Sequence, residues 1–200
     1  MTINHLLLIL SFLCLTPEEL KKELAMEPLR KRIVLDNENS SVKIIGTTNV
    51  NEFSCVYKSE IFADTLEIKL SPEGEMIATS GASFQLPVDR FKCESSQMTV
   101  DFKALLKSEG HPNINVKLLG IYDSELKNQV KLAIVLAGIE KNFDVFTTIA
   151  VQENVFHCQG KPKLCITDFG LSAPEKFFGM IKVNETITVE VNLTFSVIST

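Results

Sequence analysis

The stretch ITDFGLSAPEKFFGMIKVNETITVEVNLTF, residues 166 to 195, decides how this chain is read. In its last part Ile187, Val189, Val191, Leu193 and Phe195 alternate with Thr186, Thr188, Glu190, Asn192 and Thr194. Successive side chains of a strand point to opposite faces of its sheet. The pattern therefore predicts an antiparallel strand, apolar inside and polar outside. Gly179 and Asn184-Glu185 supply turn residues around it.

The same period of two recurs along the chain. IVLD at 33 to 36, a turn at NENSS, and VKIIG at 42 to 46 read as a first hairpin. Phe53, Cys55 and Tyr57 form a second alternating set, and Leu66, Ile68 and Leu70 a third, before a turn at Pro72-Glu73-Gly74-Glu75. Phe84, Leu86 and Val88 follow, with Pro87 marking an edge or a bulge. Ile114, Val116 and Leu118 come next, then Leu132, Ile134 and Leu136. Gly138 marks a turn, and Phe143, Val145, Thr147 and Ile149 continue the pattern. Residues 99 to 108 are the one helical segment of the body, with Phe102, Leu105 and Leu106 on one face, Thr99 as cap and Gly110 as stop. Such a helix would plug or flank one end of a β-structure.

Eight to ten short strands, each with one apolar face, leave the problem of exposed sheet edges. Closing the sheet removes them. The expected fold is thus all-β: a single antiparallel β-barrel of about eight strands with one short helix. A sandwich is the alternative that spacing alone leaves open.

Three pieces, in order, resemble the YceI-like family of polyisoprenoid-binding periplasmic proteins. They are GTTNVNEFSC at 46 to 55, MTVDFKALLKSEGHPNI at 98 to 114, and D-F-G-L followed by G-M-I-K and the alternating strand at the C-terminal end. The resemblance spans roughly residues 32 to 196. It implies an elongated, lipocalin-like barrel that holds a long apolar chain in its interior and has no catalytic site.

At 45% hydrophobic residues, the 200-residue chain can build a core in one domain. The net charge of −5 argues against nucleic acid, which calls for a basic footprint. Thirteen Phe against no Trp and two Tyr suit a Phe-rich core or an apolar cavity without polar aromatic handles. Residues 6 to 15, LLLILSFLCL, are too short to span a membrane as a helix and have the length of a signal-peptide core. Leu13 stands where a lipoprotein signal needs a small residue, which argues against lipid anchoring at Cys14. Three segments are expected: a signal-like segment at 1–15, a short helix or linker at 16–30 opened by Thr16-Pro17-Glu18-Glu19, and the barrel at 31–198. Export to the periplasm or cell envelope follows, with a position near the membrane.

Apart from Cys14, four cysteines remain, an even number that suits an oxidising compartment. The turn at Lys161-Pro162 lies midway between Cys158 and Cys165, and a hairpin there would set them opposite each other. Cys55 and Cys93 are then paired by elimination. The expected disulfides are Cys55–Cys93 and Cys158–Cys165.

No motif carries catalysis. Asp168-Phe169-Gly170 has the letters of a kinase metal loop, but no Gly-rich or H-R-D loop accompanies it. There is no C-x-x-C, G-x-S-x-G or H-E-x-x-H. His157 adjoins Cys158, yet neighbours on a strand face opposite ways, and His111 before Pro112 reads as structural. The sequons at Asn39, Asn184 and Asn192 read as chance, Asn192 being mid-strand. No cofactor and no metal are expected.

Three functions compete: a carrier of an apolar lipid, an envelope module with a filled barrel and no ligand, and a small hydrolase. Alternation fits the first two equally; the resemblance selects the first. The inward positions expected to line the lumen are Ile44, Phe53, Leu66, Ile68, Phe84, Leu86, Val116, Leu132, Ile134, Phe143, Val145, Val189, Val191 and Leu193. The expected partner is an isoprenoid or quinone-like lipid.

Overall fold

In a computed structural model the described residues are 29–70, 76–78, 82–122, 128–173, 175–176 and 181–198. The signal-like segment, the Thr16-Pro17 helix start, the 72–75 turn and Gly179 lie outside them. Among the described residues fifteen strands run in chain order: β1 Leu29–Thr47, β2 Glu52–Tyr57, β3 Phe62–Ala63, β4 Leu66–Leu70, β5 Met76–Ala78, β6 Ser83–Pro87, β7 Phe91–Cys93, β8 Asn113–Tyr122, β9 Asn128–Leu136, β10 Ile139–Gln152, β11 Val155–Gly160, β12 Lys163–Cys165, β13 Glu175–Lys176, β14 Ile181–Lys182 and β15 Thr186–Ile198. Among the described residues one α-helix, α1, spans Ser96–Leu105.

The main sheet runs β3-β6-β8-β9-β10-β11-β15-β1-β2-β7. Its two ends meet in one stretch of chain. β6 and β7 are consecutive, joined by a 3-10 turn at Val88–Arg90. β6 takes β8 on one side and β3 on the other, and β7 takes β2. The sheet therefore curls on itself into a barrel of eight staves: β1, β2 with β3, β7 with β6, β8, β9, β10, β11 with β12, and β15. Closure hides the long edges, and β4 adds to the N-terminal half of β1. Pro87 ends β6 where the run kinks into the 3-10 turn, since proline has no N–H for the ladder.

Residues 33 to 46 are not a hairpin but one long strand, β1, paired along β15 from Arg32↔Ile198 to Ile45↔Thr188. The turn-like NENSS is a bulge: between Asp36 and Ser41 the partner advances only from Thr194 to Asn192. The Asp36 carboxylate accepts from the backbone of Glu38 and Asn39, and Thr194 N–H donates to Ser40 Oγ. The Asn39 side-chain donor holds the Asp36 carboxyl below its usual range. The bulge also flips the strand's parity. Ile33 faces in before it, and Val42 and Ile44 face in after it.

Cys158 and Cys165, expected to pair, are not disulfide-bonded. Their segment does not turn back on itself. β11 and β12 follow one another along the same edge of β15, Cys158 opposite Leu193 and Cys165 opposite Thr186. Two residues seven apart on one extended run cannot reach each other.

Cys55 and Cys93 are direct cross-strand partners and form a disulfide. The bond crosses a short ladder, β2 on β7, where the barrel closes. It links residues 38 apart, and such a loop stabilises by about 2–4 kcal/mol, chiefly through the unfolded chain. Changing both cysteines to Ala should lower the urea unfolding free energy by that amount; an unchanged midpoint would contradict it.

The helix starts three residues earlier than expected. Ser95, not Thr99, is the cap, its Oγ accepting from Met98 N–H. Thr99 is buried, and its hydroxyl accepts from Cys93 N–H.

Candidate functional site

The inward side chains of all eight staves enclose one apolar cavity of about 260 Å³. An apolar cavity of about 150 Å³ already takes a benzene-sized molecule and stays dry. The wall is almost wholly hydrocarbon; Thr147 and Asn184 are its polar side chains. Thr147 turns its hydroxyl to the Asn128 carbonyl, 3.3 Å away, so it offers little to a ligand. Asn184 is exposed and holds Thr47 Oγ1 at 2.7 Å, which brings the cavity to the surface at that rim. Beside it Gly46 lies under the Phe53 ring, and a side chain at position 46 would collide with that ring.

Apolar clusters pack both ends. At one end Ile33, Leu66, Ile68, Phe156 and Phe195 pack together. At the other, Leu106 after α1 meets Leu164, Ile166, Phe169 and Leu171. Asp168-Phe169-Gly170 belongs to a 3-10 turn at Ile166–Phe169 that closes this end. Gly170 adopts φ +62°, the left-handed conformation glycine takes without strain, and ends the turn. The reversal drives Phe169 fully into the core.

Of the fourteen residues expected on the lumen, thirteen line the cavity: Ile44, Phe53, Leu66, Ile68, Phe84, Leu86, Val116, Leu132, Ile134, Val145, Val189, Val191 and Leu193. Phe143 does not. It lies toward the closed end and stacks on Phe169, ring centroids 5.8 Å apart. Sequence reading missed Phe102, Leu105 and Leu106, which α1 and the turn after it bring to the wall, and Ile61, Phe156 and Cys158. For Phe156 and Cys158 a signal existed: they alternate with Val155, His157 and Gln159.

His157 and Cys158 do point apart. His157 Nδ1 lies 3.2 Å from Thr194 Oγ1, while Cys158 lines the cavity. Burial pushes the Cys158 thiol up, its hydrogen bond to Thr147 pulling weakly the other way. Cys165 is half-buried, its sulfur 3.0 Å from Thr167 Oγ1. The thiolate is the reactive form, so at pH 8 the native protein should alkylate at Cys165 at least about tenfold faster than at Cys158. Peptide mass mapping after timed iodoacetamide checks this; equal rates would mean a water-filled lumen. Among the described residues no three His, Cys, Asp or Glu side chains gather to hold a metal, and no helix is long and apolar enough to cross a membrane.

No family model and no curated protein matches this sequence. Solved structures do match the fold. BcnA of Burkholderia cenocepacia superposes with a TM-score of 0.65 at 15% identity, covering 80% of this chain and 99% of that one. A polyisoprenoid-binding domain from Saccharophagus degradans, implicated in plant cell wall breakdown, gives 0.56 at 10% identity, covering 83% and 98%. The YceI protein of Campylobacter jejuni gives 0.55 at 10% identity, covering 77% and 85%. The fold is therefore the YceI-type barrel that the three sequence pieces implied.

Proposed function

We propose that this chain is a non-enzymatic carrier of the cell envelope that holds a long apolar lipid, an isoprenoid or a quinone-like molecule, in its barrel lumen. One observation carries the reading: every stave contributes hydrocarbon to a single continuous cavity whose polar side chains are Thr147 and Asn184. A catalytic or polar-ligand site needs converging donors and acceptors, which this wall lacks. Each methylene moved from water into it is worth about 0.8 kcal/mol, so chain length supplies the affinity. The fold shared with a polyisoprenoid-binding domain supports the ligand class. The Cys55–Cys93 disulfide supports an oxidising compartment such as the periplasm.

The test is a titration with diphenylhexatriene, a rod-shaped fluorescent hydrocarbon, followed by competition with prenols of increasing length. Affinity of the competitor should rise steadily with each isoprene unit and change little when the head group is exchanged. Failure of every long-chain compound to bind would leave a filled barrel that serves as an envelope module.

A further inference from the structure

The barrel wall parts on one side. The ladder between β10 and β11 ends at Thr147↔Gly160. Beyond that pair β10 continues to Ile139 against β9 alone, and β12 lies on β15 alone. Extending the register would set Val145 opposite Pro162 and Asp144 opposite Lys163. Those pairings are not made. Between 143–146 and 161–164 lies a second cavity of about 230 Å³, lined by those two runs.

Pro162 turns its carbonyl to β15, accepting from Val189 N–H at 2.9 Å, and the run stays on that partner. Lys161 is in turn drawn to β15, its ammonium 2.6 Å from Glu190, whose carboxyl it holds below the usual range. The carbonyl contact and the ion pair together keep the parted edge with β15.

The parting reaches the lumen. Val145, Pro162 and Leu164 line both cavities and so lie between the cleft and the apolar interior. The outer lip carries Phe146, which is 61% exposed. We infer that this cleft is a side doorway through which an apolar lipid chain passes into the lumen, between β10 and β12, with Pro162 as its threshold. The inference rests on the lumen being the lipid site. It explains an otherwise costly exposed Phe beside the opening: an apolar lip gives the chain a surface to contact before it threads inward. It also lets a chain slide in sideways without disturbing the apolar clusters toward the barrel ends.

The experiment measures loading rate and final occupancy separately. Asp144→Cys and Lys163→Cys are placed in a full-length chain whose Cys14, Cys158 and Cys165 are Ala. The two new thiols are joined by a bis-maleimide, or each capped with N-ethylmaleimide as control. Stopped-flow uptake of diphenylhexatriene should be roughly tenfold or more slower in the bridged protein, with equal end-point binding. In the otherwise unaltered chain, Lys163→Trp, at a position that lines the cleft and not the lumen, should give the same slow loading, which keeps the test independent of the cysteine substitutions. Equal rates in bridged, capped and Lys163→Trp proteins would overturn the doorway and leave the lumen site standing. No probe uptake by the unaltered protein would overturn both.

Discussion

Replacing Val191 with Trp is expected to abolish uptake of long-chain lipid while the barrel stays folded. Val191 lies at mid-strand on β15 and lines the cavity, yet it packs into none of the three apolar clusters of the described residues. An indole there fills open lumen and displaces few settled neighbours. Overpacking in a dense core costs about 1–3 kcal/mol, and this site should fall at or below the low end. The gain in side-chain volume takes the space a chain needs, so the loss appears in binding. Probe titration with circular dichroism and a urea curve on the same sample separates the two effects. A folded Val191→Trp that binds as tightly as the wild type would place the ligand outside the lumen.

Phe169→Ala should cost about 3–5 kcal/mol of stability, the range for truncating a fully buried aromatic. The ring is 0% exposed, stacks on Phe143 and sits among Leu106, Leu164, Ile166 and Leu171. Gly170 fixes the turn that points it inward, so the backbone does not relax readily into the space left. The urea midpoint should fall while the m-value holds, as expected for lost packing in an unchanged fold. A change under about 1 kcal/mol would mean that the end is loosely packed and Phe169 is no plug.

These two residues show what the sequence discloses and what it hides. Val191 was legible because a strand's period of two writes its facing directly into the letters, and twelve other lumen residues were found in the same way. Phe169 was not. Its D-F-G setting matches no strand period, and its burial depends on a 3-10 turn that only the left-handed Gly170 completes. The NENSS stretch failed for a related reason. A bulge and a turn draw on the same residues, Asn, Ser and Asp, and only the partner strand distinguishes them. Cys165 was misplaced because Lys161-Pro162 looks like a hairpin turn, whereas here the proline interrupts a strand that continues along β15. Facing is local and readable; which strand lies alongside is not.

The most direct measurement is native mass spectrometry of the full-length protein purified gently from its own host, beside its Val191→Trp form. The wild type should carry one long-chain lipid of isoprenoid or quinone-like mass, released by organic solvent, and the variant should arrive empty. A wild-type protein that flies at the mass of its polypeptide alone, and that takes up no prenol when one is added, would contradict it.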